Sequence, residues 1–223
     1  MKKLVLPLAA IALYFGLTSS SCSKTDTTPP VIALTGQSTM TLDLGDTWTD
    51  PGATATDNTD GTITSSIVVS GTVNTSQVGI YTLTYSVSDA AGNSAQQTRT
   101  VTVRSNKLAG TYAVDATITG GPGAPGWTGT VTVTQSSTEY NKLIVSNFDA
   151  WGTAVSVNIL VNGNTITVPS QHPSGVPAGS EGTALGSAGT YTVSGFAITS
   201  LDYTWTYDTG GPADVSHEVW TKQ

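Results

Sequence analysis

Beyond residue 30, apolar and polar residues alternate along much of the chain. The clearest case is residues 81–88, in which Tyr81, Leu83, Tyr85 and Val87 alternate with hydroxyl-bearing residues. A period of two places one face of a strand on a core and the other in water, which is typical of antiparallel sheets. The pattern therefore predicts an all-β protein.

Segments of this kind fall into two groups on either side of residues 104–107. Six strands are predicted in the first group: Val31–Leu34, Thr39–Leu44, Ala53–Asp57, Ile63–Ser70, Tyr81–Ser88 and Gln97–Arg104. Eight follow in the second: Gly110–Ile118, Thr128–Gln135, Lys142–Ser146, Val155–Val161, Thr165–Val168, Thr190–Val193, Ala197–Tyr207 and Ser216–Thr221. We therefore expect two β domains, at residues 31–104 and 108–223.

The second domain contains the strongest hairpin signal of the chain. Asn162–Gly163 stands between two strand patterns and favours a type I′ turn, whose central residues both need positive φ. Eight short strands predict a small, closed or nearly closed antiparallel barrel, because closure removes exposed strand edges. Residues 169–189 contain His172, Pro173, Pro177 and five glycines and are predicted to form a long loop, either a lid over the barrel mouth or a mobile surface loop.

The N-terminus has the organisation of an export signal. Lys2 and Lys3 precede an apolar run, Leu4–Leu17, which has the length of a signal-peptide core, and small residues lead into Cys22, the single cysteine. This arrangement resembles a bacterial lipoprotein signal, although Ser19 stands where leucine is usual. The resemblance implies a signal peptide at residues 1–21 and lipidation of Cys22. An incidental thiol beyond an ordinary secretory cleavage site is the alternative.

A polar tether, residues 22–30, begins with this cysteine. The serine-rich signal, with Lys24 and Asp26 behind it, resembles lipoproteins of the Bacteroidetes. That resemblance implies a protein lipid-anchored in the outer membrane and exposed on the cell surface. The triplet Asp26-Thr27-Thr28 also resembles the short O-glycosylation signal of exported Bacteroidetes proteins, which makes Thr27 a candidate acceptor.

Charge excludes several classes of partner. Without Lys2 and Lys3 of the leader, six basic residues remain against 15 acidic ones, a net charge of −9. Nucleic acids and anionic lipid surfaces both select basic patches, so neither is an expected partner, and membrane attachment is expected only through the N-terminal lipid. With no second cysteine, stability depends on burial and strand pairing.

The motifs of the first domain occur in a recognisable order: Pro29–Leu34, Leu42–Asp46, Trp48–Ala53, Asp57–Gly61, Val78–Tyr81 and Ser88–Asn93. Together they resemble the bacterial Ig-like domain family named after a Cry22-type pesticidal crystal protein. The resemblance implies an Ig-like β-sandwich that acts as a spacer or adhesive module, with Tyr81 as its tyrosine corner. It brings no catalytic activity.

The second domain resembles the calycin-like or lipocalin-like C-terminal domains of Bacteroidetes surface lipoproteins. The similarity rests on Leu108–Tyr112, Asn162–Gln171 and Leu201–Tyr207. It implies a calycin-like barrel that carries whatever ligand site exists.

Motifs for catalysis are missing from the sequence. It contains no nucleophile elbow, no zinc-protease helix motif and no phosphate-binding glycine loop, and it has only two histidines, His172 and His217. An enzyme would require one of them to contact a carboxylate in a cleft. We therefore expect no enzyme and no cofactor, except that a structural Ca²⁺ could use the oxygen-rich turns that contain Asp57 and Asp60, and Asp89. Ordinary Asx turns are the alternative.

Four of the five tryptophans lie in the second domain. Indole faces stack on the C–H faces of sugars, and Trp127 and Trp151 fall in predicted loops, with Asp149 beside the second. Trp205 alternates with two tyrosines and is expected in the core, whereas Trp220 shares a face with Glu218 that suits either a solvated surface or a polar barrel interior. Trp127, Trp151, Asp149 and Trp220 are the candidate ligand-binding residues.

These features predict a non-catalytic binding module that captures carbohydrate at the cell surface. The alternative is an adhesion or structural envelope protein that binds another protein. A sugar site needs a concave patch with exposed aromatic side chains, whereas an adhesin needs a flat apolar surface or a free strand edge.

Overall fold

A computed structural model describes residues 26–119, 126–147, 155–171, 182–192, 195–207 and 214–223. The regular structure of these residues consists of β-strands and two single-turn 3₁₀ helices, Thr64–Ser66 and Asn106–Leu108. The protein is all-β, as predicted. Its strands form two sandwiched sheets and, after residue 109, a separate barrel.

The first domain contains seven strands. They are β1 (Val31–Leu34), β2 (Thr39–Asp43), β3 (Ala53–Asp57), β4 (Gly61–Thr62), β5 (Val68–Ser70), β6 (Gly79–Ser88) and β7 (Ser94–Arg104). One sheet has the order β1-β3-β4 and the other β2-β7-β6-β5. All pairs are antiparallel except β2 with β7, which is parallel.

The alternation along β6 has the predicted consequence. Leu83, Tyr85 and Val87 are buried in the sandwich core, while Thr82 and Ser88, which flank them, are exposed. The Tyr81 hydroxyl donates to the Gln77 carbonyl oxygen at 2.9 Å, which is the contact of a tyrosine corner. This part of the sequence prediction is confirmed.

One predicted strand of the sandwich is wrong. Residues 63–70 do not form a single strand, because the 3₁₀ turn Thr64–Ser66 separates β4 from β5. The Thr64 hydroxyl accepts a hydrogen bond from the Ala55 amide at 2.9 Å. The turn thus attaches itself to β3 through a side chain, a contact that a hydrophobic pattern does not reveal.

A charged cluster lies inside the sandwich. Arg99 is fully buried, and its Nη2 donates to the carbonyl oxygens of Thr35 and Gly52 at 2.8 and 2.9 Å. The Tyr85 hydroxyl donates to Asp50 at 2.6 Å, and Asp50 lies 3.8 Å from Arg99 Nη1. Burial, together with the Asp50 carboxylate, raises the pKa of Tyr85 to about 12.

The second domain is a closed antiparallel barrel of eight strands. They are β8 (Gly110–Thr119), β9 (Trp127–Gln135), β10 (Lys142–Ser146), β11 (Ser156–Asn162), β12 (Thr165–Gln171), β13 (Gly182–Thr192), β14 (Ala197–Tyr207) and β15 (Asp214–Lys222). Their order around the barrel follows the sequence, and β15 pairs with β8 to close it. The predicted closure is confirmed.

The turn between β11 and β12 differs by one residue from the prediction. Asn162 pairs with Thr165, so the two loop residues are Gly163 and Asn164. Gly163 has φ 57°, while the described non-glycine residues with positive φ do not include Asn164. A positive φ at the first loop position alone is the type II′ pattern, which also favours glycine there.

The prediction of a loop over residues 169–189 is wrong at both of its ends. Strand β12 continues through Gln171, and β13 begins at Gly182. The early part of β13 is rich in Gly and Ala, which have low strand propensity, and its pairing with β12 and β14 is interrupted by register shifts. This segment therefore forms a strand because it pairs with β12 and β14, and its own sequence does not favour one.

The two domains share an apolar core at one end of the barrel, which we call the domain end. Leu44, Val78 and Val103 of the sandwich are buried in the same cluster as the barrel core. The Gly163 amide donates to the Val78 carbonyl oxygen at 3.1 Å, which joins the β11–β12 turn to the sandwich. The sandwich therefore covers this end of the barrel.

Charged side chains surround this junction. Lys107 Nζ contacts Asp46 at 2.6 Å and lies 4.7 Å from the centre of the Phe196 ring. The hydrogen bond from Lys107 holds the pKa of Asp46 below its ordinary value. Lys222 Nζ donates to the carbonyl oxygens of Lys107 and Phe196 at 2.8 and 2.9 Å, and burial lowers the pKa of this ammonium group. These contacts join Lys107, which lies between the two domains, to the last barrel strand, β15.

Candidate functional site

The opposite end of the barrel, which we call the loop end, is where the long connections join the strands. Strands β8, β10, β12 and β14 finish there and β9, β11, β13 and β15 begin there. The intervening residues are 120–125, 148–154, 172–181 and 208–213, which lie outside the described residues. Side chains on the inner face near this end are the residues that a ligand entering the barrel would meet.

Trp127, which was predicted in a loop, instead begins β9 at the loop end and lies on the inner face. It is directly opposite Ala116 of β8, which is buried and in turn opposite the buried Glu218 of β15. The side chain is only partly exposed, and the indole Nε1 is buried without a hydrogen-bond partner. A buried donor without an acceptor is uncommon in a folded protein and requires an explanation.

The Trp127 ring depends on a glycine two residues along the strand. A Cβ atom at Gly129 would lie 2.1 Å from Cζ3 of the ring, so the ring occupies the space in which a side chain at position 129 would stand. Gly129 therefore permits the indole to lie along the inner face of β9. The ring is positioned by its own strand as well as by neighbouring strands.

Strand β15 contributes a polar row to the same inner face. From the loop end inward, Ser216, Glu218 and Trp220 are all buried, at 3%, 0% and 3% exposure. The Trp220 indole Nε1 donates to Glu218 Oε2 at 2.8 Å, and the Ser216 hydroxyl is buried without a partner. Of the two arrangements that the sequence allowed for Trp220, the structure has the polar barrel interior.

Below this row the barrel interior is apolar and packed. The Trp220 ring lies 5.5 Å from the Tyr112 ring, centre to centre, in a tilted arrangement. The Tyr112 hydroxyl donates to the Leu108 carbonyl oxygen at 2.6 Å and accepts from the Ile198 amide at 3.3 Å, and burial raises its pKa. Trp220 therefore belongs to the interior wall, and Trp127 and Ser216 lie nearer to the loop end.

Other predicted ligand contacts cannot be placed. Trp151 and Asp149 lie outside the described residues, and so does His172. The backbone of β14 is described, but the side chain of Trp205, the predicted core residue, is not. The contributions of Trp151 and Asp149 remain predictions.

The second histidine contacts a carboxylate, as a catalytic pair would. His217 Nδ1 and Asp202 Oδ1 are in direct contact between β15 and β14. Both side chains, however, are on the outer face of the barrel and 62% and 43% exposed. The pair thus meets the requirement of contact, and both of its side chains face outward from the barrel rather than toward its interior.

Three carboxylates converge on the sandwich near the tether. Oxygen atoms of Asp26, Asp57 and Asp89 all lie within 4.8 Å of one another, and Asp57 Oδ2 is buried without a hydrogen-bond partner. Asn93 Nδ2 donates to Asp89 and to the Asp26 carbonyl oxygen, at 2.7 and 3.2 Å. Oxygen-rich groups of this kind suit Ca²⁺.

The group differs from the predicted pair of ligands. Asp60 is outside it, because its carboxylate accepts a hydrogen bond from the Ala90 amide at 2.7 Å. Asp57 Oδ1 accepts from the amides of Thr59 and Asp60, which is an ordinary Asx turn. Only Oδ2 of Asp57 therefore remains for a cation, and the Ca²⁺ site remains a prediction.

Two predicted modification sites lie at the N-terminus. Thr27 is exposed next to Asp26, so an enzyme could reach its hydroxyl, and glycosylation there stays a prediction. Cys22 and the signal peptide precede the described residues. Among the described residues, no helix is long and apolar enough to cross a membrane.

Ser216 and Arg99 were not identified as notable from the sequence. Both have a detectable signal, since Ser216 has the same strand parity as Glu218 and Trp220, and Arg99 has the parity of Val101 and Val103. A polar residue in phase with a buried apolar set is a candidate for a buried polar group. The partners of Arg99 lie in distant parts of the chain, and the Ser216 hydroxyl has none among the described residues, which the pattern does not specify.

Comparisons with known proteins agree with the first domain. Residues 32–103 match the family model described as bacterial surface protein, Ig-like domain. The match covers the sandwich and ends before the barrel. The more specific resemblance to Cry22-type modules and the calycin identity of the barrel stay predictions. No curated protein matches the chain.

Three solved structures are similar to parts or all of the chain. A lipoprotein from Bacteroides thetaiotaomicron has 20% identity and a TM-score of 0.35, over 87% of this chain and 100% of that one. The M60 catalytic domain with the CBM51-1 and CBM51-2 domains of Clostridium perfringens ZmpB has 20% identity and a TM-score of 0.28, over 70% of this chain and 14% of that one. CBM51-2 in complex with GlcNAc and INT domains, from the same protein, has 17% identity and a TM-score of 0.28, over 86% and 44%.

Proposed function

We propose that this chain is a non-catalytic binding protein of the bacterial cell envelope and that it holds a carbohydrate at the loop end of its barrel. The observation that carries the proposal is Trp127. Its ring lies on the inner face at this end, partly exposed, and its buried N–H has no acceptor within the described residues.

A sugar matches both properties of this side chain. The C–H face of a pyranose stacks on an indole, and a sugar hydroxyl can accept the hydrogen bond that Trp127 Nε1 lacks. An unsatisfied buried donor destabilises the free protein by about 1–3 kcal/mol, and a ligand that supplies the acceptor recovers this free energy on binding. The Ser216 hydroxyl on a neighbouring part of the inner face provides a second polar atom without a partner.

The arrangement of the domains supports capture at a surface. The tether reaches the sandwich at Asp26, whose carbonyl oxygen accepts from Asn93. The sandwich contacts the barrel at the domain end, so the loop end is on the side of the barrel remote from the sandwich. With Cys22 lipidated in the outer membrane, the Ig-like domain would act as the spacer that carries the site.

The test is a glycan-array screen of the purified protein and its Trp127→Ala and Trp127→Phe variants. We expect binding to carbohydrate that W127A loses and W127F weakens, because phenylalanine retains a stacking face and lacks the N–H. W151A tests the predicted contribution of Trp151 in the same way. The matched control is Trp48→Phe, which changes a tryptophan of the sandwich. Absence of glycan binding by the folded wild-type protein would overturn the proposal.

One observation favours the alternative, adhesion to another protein. Strand β5 is at the edge of the four-stranded sheet, and its Val68 and Val69 are 66% and 47% exposed. An apolar strand with a free edge can pair with a strand of a partner. If the array shows no binding and a Val68→Thr, Val69→Thr variant loses adhesion of cells that display the protein, the adhesin is the better description.

A further inference from the structure

The barrel is closed to a ligand at its domain end. Leu44, Val78 and Val103 of the sandwich pack there against the barrel core, and Tyr112 and Trp220 fill the interior above them. All five side chains are buried. A molecule therefore cannot reach the inner face from the domain end, and it cannot pass through the barrel.

Three polar side chains of the inner face, those of Trp127, Ser216 and Glu218, lie toward the loop end. Trp127, Ala116 and Glu218 are directly opposite one another on β9, β8 and β15, so Trp127 and Glu218 are two strands, about 10 Å, apart. Ser216 is one inward-facing position nearer to the loop end than Glu218. It is 3% exposed, and its hydroxyl has no partner within the described residues. The surrounding described inner-face residues are apolar, among them Val114, Val131, Val145 and Leu201.

Resting on the proposed function, we infer that the site takes the end of a glycan chain. The terminal sugar enters the barrel from the loop end, stacks on Trp127 and forms hydrogen bonds with Trp127 Nε1 and Ser216 Oγ. Each hydroxyl of a sugar can donate and accept, so different hydroxyl groups of one ring can serve these two protein atoms. The Glu218 carboxylate fixes the Trp220 indole as the wall beneath the sugar.

An internal segment of a polysaccharide does not fit this geometry. Its chain continues from both sides of each sugar, and such a ligand requires a groove open at two ends. A barrel closed at its base admits only a residue with one glycosidic attachment, which leads back out through the loop end. The fold therefore selects chain ends over chain interiors.

The experiment compares ladders of malto-, cello-, chito- and manno-oligosaccharides, from disaccharides to octasaccharides, by isothermal titration calorimetry with the purified protein. Each ladder is measured with free ends and with the non-reducing terminal residue methylated. We expect the affinity per mole of chain to stop rising after the first few sugars, and methylation of the terminal sugar to weaken binding about tenfold or more. S216A should weaken binding about tenfold, since one buried hydrogen bond is lost.

His217→Ala is the matched control, because His217 neighbours Ser216 on β15 and lies on the outer face. It should leave the affinity within about twofold of the wild-type value. Affinity that grows in proportion to chain length and ignores terminal methylation would overturn end recognition and leave the proposed function intact. An unchanged affinity of S216A would overturn the assignment of Ser216. If neither the ladders nor the array bind, both the inference and the proposed function fail.

Discussion

The sandwich and the barrel both bury polar side chains, but they use them differently. In the sandwich, Arg99, Asp50 and Tyr85 contact one another and the backbone, and Arg99 Nε is the one nitrogen of the guanidinium group without a partner. In the barrel, Trp127 Nε1 and Ser216 Oγ have no partner at all within the described residues. Both barrel groups lie near the loop end.

The difference separates a structural role from a binding role. A cluster that satisfies itself contributes to the stability of the domain, and removal of one member leaves the others buried and unpaired. A buried group without a hydrogen-bond partner lowers the stability of the free protein, and it can form the missing hydrogen bond with a ligand. Burial alone therefore does not identify a site, and the proposed site rests on burial together with a missing partner near the loop end.

The largest expected effect is on the Arg99 cluster. Arg99→Met should lower the free energy of unfolding by about 3 kcal/mol, because the carbonyl oxygens of Thr35 and Gly52 lose their donors and Asp50 loses its cation. Urea denaturation followed by circular dichroism measures this change.

Arg104→Met provides the control at the end of the same strand. Arg104 is 44% exposed and pairs with Asp43 at 2.8 Å, so its loss should cost less than about 1 kcal/mol. Equal losses for the two variants would contradict the structural role of the buried cluster.

The same contrast explains what the sequence could predict. Strand alternation predicted every barrel strand except the end of β12 and the beginning of β13, because periodicity is a local signal, and the resemblance to Ig-like domains implied the tyrosine corner at Tyr81. The early part of β13 and the contact of the 3₁₀ turn with β3 depend on neighbouring strands. No local pattern reports such pairing.

Site residues divide in the same way. Trp127 was a candidate ligand-binding residue because of its residue type. Its orientation, however, depends on Gly129, and its burial depends on the closure of the barrel. Asp57 and Asp89 were each visible in oxygen-rich turns, whereas their approach to Asp26 joins three distant parts of the chain. The sequence thus predicts which kinds of side chain are available for a site more readily than which of them lie close together in the fold.

A pair of serine substitutions sharpens the comparison at a smaller scale. Ser105, at the domain junction, is fully buried, and its hydroxyl donates to Gln135 at 2.7 Å. Ser105→Ala should therefore lower the free energy of unfolding by about 1–2 kcal/mol. Ser216→Ala removes an equally buried hydroxyl that has no partner, so it should leave stability unchanged or raise it by up to about 1 kcal/mol.

Thermal unfolding of the two variants beside the wild-type protein measures these opposite directions. Stabilisation by S216A together with weaker sugar binding would show that this hydroxyl is retained for the ligand. A loss as large as that of S105A would mean that Ser216 serves the fold, and the distinction between the two regions would no longer hold.

The smallest expected effect concerns the one carboxylate oxygen of the sandwich that resembles the barrel groups. Asp57 Oδ2 is buried without a partner and faces Asp26 and Asp89. If the three carboxylates hold Ca²⁺, the ion should stabilise the folded protein by about 1.4 kcal/mol at a tenfold excess over its Kd. The measurement is the thermal midpoint in EGTA, in millimolar Ca²⁺ and in the same concentration of Mg²⁺.

We expect Ca²⁺ to raise the midpoint and Mg²⁺ to leave it nearly unchanged, because Mg²⁺ demands a stricter octahedral geometry and gives up its waters reluctantly. Asp57→Asn and Asp89→Asn should each abolish the response to Ca²⁺. Asp60→Asn should retain it, because Asp60 lies outside the group and an asparagine oxygen can still accept from the Ala90 amide. A midpoint that Ca²⁺ does not move, or a response that survives D57N, would leave these turns as plain Asx turns. The proposed ligand-binding groups would then all lie in the barrel.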